Sequence, residues 1–227
     1  MIYLTGDTHI PIDIGKLNTK NFPAQKDLTR DDYLIILGDF GLYWHEDREY
    51  AYWRKWLQEK PFTVLWVDGN HENHDWIARM PVTQWMGGLV QADGNIIHLM
   101  RGQIYHINDK SFFVMGGAAS TDKEHRQDGI SWWPQEVPSF QDVEVALDNL
   151  ENEKWKVDYV LTHTCPTNII NPMFHVPPTS DSATKFLQEV YWRIKFKKWY
   201  FGHWHVDHNY GKFCCMYNNI VKMEEGL

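Results

Sequence analysis

Met1-Ile2-Tyr3-Leu4-Thr5-Gly6-Asp7-Thr8-His9 is a short apolar run that breaks into Gly-Asp-Thr-His, and Tyr33-Leu34-Ile35-Ile36-Leu37-Gly38-Asp39 has the same form. Three more runs end in the same way. Phe62-Thr63-Val64-Leu65-Trp66-Val67 leads to Gly69-Asn70-His71, Val157-Asp158-Tyr159-Val160-Leu161 to Thr162-His163, and Trp199-Tyr200-Phe201 to Gly202-His203. Apolar strands without alternation are those covered on both faces, so the pattern predicts an α/β protein whose sheet strands are sandwiched by other layers. Helical spacing lies between the runs. Ala183, Phe186, Leu187, Val190, Tyr191 and Ile194 fall on one helix face, with Ser180 as the expected N-cap. Phe140, Val143, Leu147 and Leu150 make a second stripe capped by Ser139, and Trp53, Trp56 and Leu57 a third. Extended pieces near 95–100, 103–107, 112–115 and 206–217 read as hairpin strands. Residues 116–138 read as a long loop, which in a compact domain is usually a functional one.

With 227 residues and no linker, repeat or charge run, the chain is read as a single α/β domain, 1–227. A chain of this length buries about 70% of its unfolded surface, so it needs neither metal nor disulfide merely to fold. The net charge of −8 has the wrong sign for unaided binding to nucleic acid or an anionic membrane. Three cysteines are too few for a disulfide scaffold and point to a reducing compartment. No apolar run approaches the ~18 residues of a membrane span, and the first residues carry no signal-peptide pattern, so a cytoplasmic location is expected.

The polar residues after the strands carry the chemistry. In open α/β sheets ligands bind beyond the carboxyl ends of the strands. Here those ends bring Asp7 and His9, Asp39, Asn70 and His71, His163, and His203 and His205. Oxygen and imidazole ligands of this kind suit Mn, Fe, Co, Ni or Zn. Apart from His71, they number seven, more than the four of a simple zinc site, and two divalent ions bridged by one carboxylate would use them all. Such a pair forms a clamp for in-line displacement at phosphorus.

Gly6-Asp7-Thr8-His9, Gly38-Asp39, Gly69-Asn70-His71-Glu72, His163 and Gly202-His203-Trp204-His205 occur in this order, with Asp7, Asp39 and Asn70 spaced 32 and 31 residues apart. Together they resemble the signature of the calcineurin-like metallophosphoesterases, over residues 6 to 205. The resemblance implies a four-layer α/β/β/α sandwich of two mixed β-sheets flanked by helices. It also implies a dinuclear-metal phosphoesterase: Asp7, His9 and His205 on the first ion, Asn70, His163 and His203 on the second, Asp39 bridging, and His71 as general acid to the leaving group. Metal-activated hydroxide would then attack a phosphomonoester or phosphodiester, with no covalent phospho-enzyme. The family's second motif is often Gly-Asp-x-x-Asp, but here it reads Gly38-Asp39-Phe40-Gly41-Leu42 and the second Asp is lost. That leaves Asp68, Glu72 and Asp75 as alternatives for a carboxylate to orient His71.

Other assignments are weaker. The loop from Gly116 to Arg126 resembles loops in a bacterial and phage-type branch of these enzymes, and Arg126 is the expected grip on a phosphate oxygen. Trp132 and Trp133 either wall the cleft, stack a base, or pack within the loop. His203-Trp204-His205-Val206-Asp207-His208 spells a metallo-β-lactamase motif, but no histidine follows it, so Asp207 and His208 are expected in a strand or turn after the site. Cys165 has no Arg six residues on, which excludes Cys-x5-Arg phosphatase chemistry, and it is expected to pack. Two rival functions are a nuclease on the same scaffold, which needs a basic or aromatic track, and a non-catalytic protein-binding scaffold, which could afford to lose ligands. A small phosphate ester is the favoured partner.

Overall fold

The computed structural model describes residues 1–178 and 181–223. Thirteen strands among these residues form two mixed sheets. The first contains β1 (Ile2–Thr5), β2 (Tyr33–Leu37), β3 (Thr63–Val67), β4 (Val82–Trp85), β5 (Gly88–Asp93), β6 (Ile96–Leu99) and β13 (Val221–Lys222), in the order β13-β1-β2-β3-β6-β5-β4. Strands β1, β2, β3 and β6 run parallel, and the outer strands are antiparallel. The second sheet contains β7 (Ile104–Ile107), β8 (Lys110–Met115), β9 (Tyr159–Thr162), β10 (Lys198–Phe201), β11 (His208–Tyr210) and β12 (Phe213–Cys215), in the order β11-β12-β10-β9-β8-β7. Its central strands are also parallel.

The pleat explains why the site strands are apolar throughout. In β2, Tyr33, Ile35 and Leu37 point into a core shared with Phe112, Val114 and Leu161 of the second sheet. Leu34 and Ile36 point the other way, into a core with Leu57 of helix α1 (Arg48–Gln58) and with Phe40 and Phe62. On the far side, Phe113, Val160, Trp199 and Phe201 meet Ala146 and Leu150 of α3 (Phe140–Asn152), Ile169 and Ile170 of α4 (Thr167–Phe174), and Phe186, Leu187 and Val190 of α5 (Ser182–Arg193). Two mixed sheets lie back to back with helical layers outside, as expected.

Ser139 caps α3 with a full capping box through Asp142. The expected cap of α5, Ser180, lies outside the described residues; Asp181 caps that helix, accepting the amides of Ala183 and Thr184 at 2.9 and 3.0 Å. Phe140 departs from the expected stripe and is 77% exposed, because the buried face of α3 begins a turn later. The hairpin of β4 and β5 and the short α2 (His74–Ile77) had no sequence counterpart. Val82, Thr83 and Gln84 of β4 are exposed on an edge, where there is no buried face to impose alternation. Loop 116–138 carries short 3-10 turns at Lys123–His125 and Pro134–Glu136 and an isolated bridge between Asp128 and Trp132.

Candidate metal centre

The carboxyl ends of β1, β2 and β3 in the first sheet and of β9 and β10 in the second meet at one end of the sandwich. The ligand residues leave those strands in unusual backbone conformations. His9, Asp39, His203 and His205 have φ of 35°, 46°, 67° and 49°, a left-handed region that non-glycine residues seldom occupy and that clusters at functional sites. Neighbouring glycines make the convergence possible. A Cβ on Gly69 would lie 2.1 Å from Asp39 Oδ1, and one on Gly202 would lie 2.2 Å from Asp7 Oδ1. The glycine before one ligand is therefore the seat of another.

Asp7, His9, Asp39 and His205 each offer a ligand atom, and these atoms lie within 4.8 Å of one another. Asp7 and Asp39 are fully buried, while the His205 side chain is 49% exposed. Asp7 also accepts the His203 amide on both carboxylate oxygens at 3.1 Å. The remaining expected residues adjoin this group. His163 Nε2 lies 3.1 Å from Asn70 Oδ1 and 3.3 Å from Asp39 Oδ1, and its ring packs edge-on to that of His203 with centroids 5.0 Å apart. Asp39 thus turns Oδ2 towards His9 Nε2 at 3.2 Å and Oδ1 towards His163. Four of the expected residues thus form one tight cluster, and Asn70, His163 and His203 lie against it.

Outer partners fix which atom each ligand presents. His9 places Nδ1 2.9 Å from Asp13 Oδ2, and His163 places Nδ1 2.8 Å from the Leu37 carbonyl oxygen. Donation there leaves each Nε2 lone pair facing inward. Asn70 donates Nδ2–H to Ser120 Oγ at 3.1 Å, so its Oδ1 also faces inward. Ser120 in turn donates to Glu136 at 2.5 Å. Two buried carboxylates, an amide oxygen and imidazole nitrogens therefore face one another, with only the amides of His203 and His71 donating to the carboxylates, an arrangement that a cation relieves. The donor set fits divalent ions. Protons answer the same field: burial lowers the affinity of His9 and His163 for a proton, but Asp39 and its neighbours outweigh it, raising His9 to about 9 and His163 likewise upward. Burial alone would raise the Asp39 carboxyl, yet His163, His9 and His71 hold it well below the usual carboxylate range. Burial and the adjacent His163 push His203 down to about 4.

His71 sits at the rim. Its amide donates to Asp39 Oδ1 at 2.7 Å. None of Asp68, Glu72 and Asp75 orients its ring. Asp68 is held by His98 and Arg101, Glu72 accepts the amides of Phe40 and Gly41, and Asp75 accepts the Trp133 indole N–H. The ring instead faces Arg126, whose Nη1 and Nη2 lie 3.0 and 3.2 Å from its two nitrogens. Arg126 is held in a fork by Asp122 at 2.8 Å on both sides and donates to the Ser131 carbonyl at 3.1 Å. Burial, and after it the Arg126 charge, push His71 below its ordinary value despite the opposing pull of Asp39. Trp133 is buried and packs edge-on to Trp44, so it is loop packing rather than a stacking platform. Cys165 is buried, and Asp207 and His208 fall in the turn and strand after the site, as expected.

A cleft of about 830 Å³ opens over Asp39, Asn70, His71, His203 and His205, walled by residues 118–122, Val176, Pro177, Asp181 and Trp204. Sequence reasoning missed the outer partners Asp13, Ser120, Glu136 and Asp122. Each had a faint signal: Asp13 follows His9 by four residues, and the other three lie in the loop singled out for its length. Among the described residues, no helix is long and apolar enough to cross a membrane. The family model for calcineurin-like phosphoesterases matches residues 1–207. No curated protein matches the sequence.

Proposed function

Because the chain belongs to the calcineurin-like phosphoesterase family, whose members are metal-dependent phosphoric ester hydrolases, we propose that residues 1–227 form one cytoplasmic domain hydrolysing small phosphate mono- or diesters with two divalent ions, drawn from Mn, Fe, Co, Ni and Zn. Asp7, His9 and His205 would hold the first ion, Asn70, His163 and His203 the second, and Asp39 would serve both. The observation that carries this reading is the division of Asp39, one oxygen towards His9 and the other towards His163. A carboxylate has the lone pairs for both partners. When bound, the ions acidify water and offset charge on the phosphoryl oxygens.

The chain's own groups do the rest. His71 is tied through its amide to Asp39, which keeps a ring nitrogen at the cleft to give the leaving oxygen its proton, a contribution of typically 10²–10⁴-fold. Arg126 presents two parallel N–H groups, now facing the His71 ring, in the geometry that grips two phosphate oxygens. A phosphate entering between them takes over that fork and frees the imidazole. The carboxylates of Asp122 and Asp181 beside the cleft, and the buried state of Trp133, favour a small ester over a nucleic acid. Three buried free cysteines support the reducing compartment.

The test is Asp39→Asn assayed on aryl mono- and diesters across added Mn, Fe, Co, Ni and Zn. A folded variant should lose activity by at least about 10³-fold, since it removes the group shared by both ions. Wild-type turnover in a folded Asp39→Asn protein overturns the reading.

A further inference from the structure

Tyr217 lies ten residues past the end of the family match, yet it stands directly against the first-ion ligands. Its ring stacks on His205 with centroids 4.9 Å apart and planes 17° from parallel. Its hydroxyl donates to Asp13 Oδ2 at 3.4 Å, the same oxygen that holds His9 Nδ1. One side chain therefore touches the half-exposed His205 directly and reaches His9 through one carboxylate.

The backbone at Tyr217 is pinned from several sides. Its amide donates to Asp207 at 2.8 Å, and Asp207 also accepts the amides of Asn218 and Asn219. Its carbonyl accepts from Thr5 Oγ1 at 3.2 Å and from Lys16 Nζ at 2.6 Å. Lys16 bonds the Asp7 carbonyl as well, at 2.6 Å, so the Tyr217 turn and the first-ion strand share one clasp. Gly6 permits the approach, since a Cβ there would lie 1.9 Å from the Met216 carbonyl oxygen. Asp207, Thr5, Lys16 and Asp13 thus hold the ring against an imidazole that also meets the His9 ring edge-on, with centroids 4.9 Å apart, and Asp7 Oδ2 at 3.1 Å.

We propose that Tyr217 is a positioning residue for the first ion, holding His205 by its ring face. The proposal rests on the two-ion reading above. Partners of this outer kind typically change metal affinity 10–100-fold when lost.

Mn²⁺ titration of the metal-free protein by calorimetry, with His205 ring-proton NMR on the metal-free samples before Mn²⁺ is added, tests it. Wild type should bind two ions. Tyr217→Leu should weaken one of them by about 10–100-fold and leave the other within about threefold, whereas Tyr217→Phe, which keeps the stack, should stay within about threefold at both. The His205 ring protons, shielded by the tyrosine ring in metal-free wild type, should move downfield in Tyr217→Leu and not in Tyr217→Phe. Should Tyr217→Leu fail to fold, Asp207→Ala, which releases the turn at the surface, carries the same expectation for both readouts. Unchanged binding, equal weakening of both ions, or unmoved His205 signals overturn the proposal. Wild type that binds no Mn²⁺ overturns the two-ion reading and this proposal with it, whereas failure at Tyr217 alone leaves wild-type stoichiometry at two.

Discussion

At the scale of single residues, the candidate ligands were legible because each is a polar group placed straight after an apolar run, where packing alone would not ask for one. Their conformations were not. Nothing in Gly38-Asp39 or Gly202-His203 announces that Asp39 and His203 turn left-handed, because that strain is imposed by contacts from other strands. Histidines outside the motifs read as ordinary, and His74 shows what that word can hide. It is buried in α2, its Nε2 has no partner among the described residues, and burial followed by the Arg101 charge pushes it down to about 4. The unfolded chain takes up this proton near pH 6.5, the native state only near 4. Between those values the unfolded state binds more protons, so His74 costs stability progressively as pH falls through that window and costs nothing above it. Urea unfolding at a series of pH values should show wild type losing about 3 kcal/mol more than His74→Leu between pH 6.5 and 4.

At the scale of elements, helix faces and caps were readable from spacing, and α3 and α5 lie where their stripes placed them. Loop 116–138 was readable only as a long segment with a task. Its work depends on tertiary contacts: Ser120 and Glu136 lie 16 residues apart along the chain and meet to hold the Asn70 amide. Ser120→Ala removes that hold and takes the hydroxyl from the buried Glu136 Oε2, leaving Oε1 on the backbone amide of residue 120. Urea unfolding of the metal-free variant should show a loss of about 1–3 kcal/mol. Mn²⁺ titration should show one of the two ions weakened by about 10–100-fold. An unaltered second affinity would mean that Ser120 does not set the amide's direction.

At the scale of the whole molecule, two sheets were expected from the resemblance to a family, while the five motif strands by themselves suggested one open sheet. The chain passes from the first sheet to the second between β6 and β7, a change that local pattern does not encode because both sheets have equally apolar strands. Three motif strands stay on one side of that change and two on the other, so ions held by Asp39 and His163 would tie the sheets together. Binding to the folded state alone contributes about 2.7 kcal/mol per site at a free ion concentration 100-fold above Kd. For a chain of this size that corresponds to a rise in Tm of about 5–10 °C for one site. Thermal unfolding with Mn²⁺, compared with excess chelator, should show at least this difference, and coincident curves would count against ions bridging the sheets.

The seating of one motif's carboxylate on another motif's glycine has a consequence for how such a centre can change. Gly202 belongs to the last motif in the chain and Asp7 to the first, yet a Cβ on that glycine would displace the carboxylate. Gly69 and Asp39 are bound by the same rule. Drift at one strand end is thus transmitted to a partner far away in the chain, and a half-kept centre has no relaxed geometry to settle into. Inactive descendants of this architecture should carry paired losses, glycine and acid together, more often than single ones.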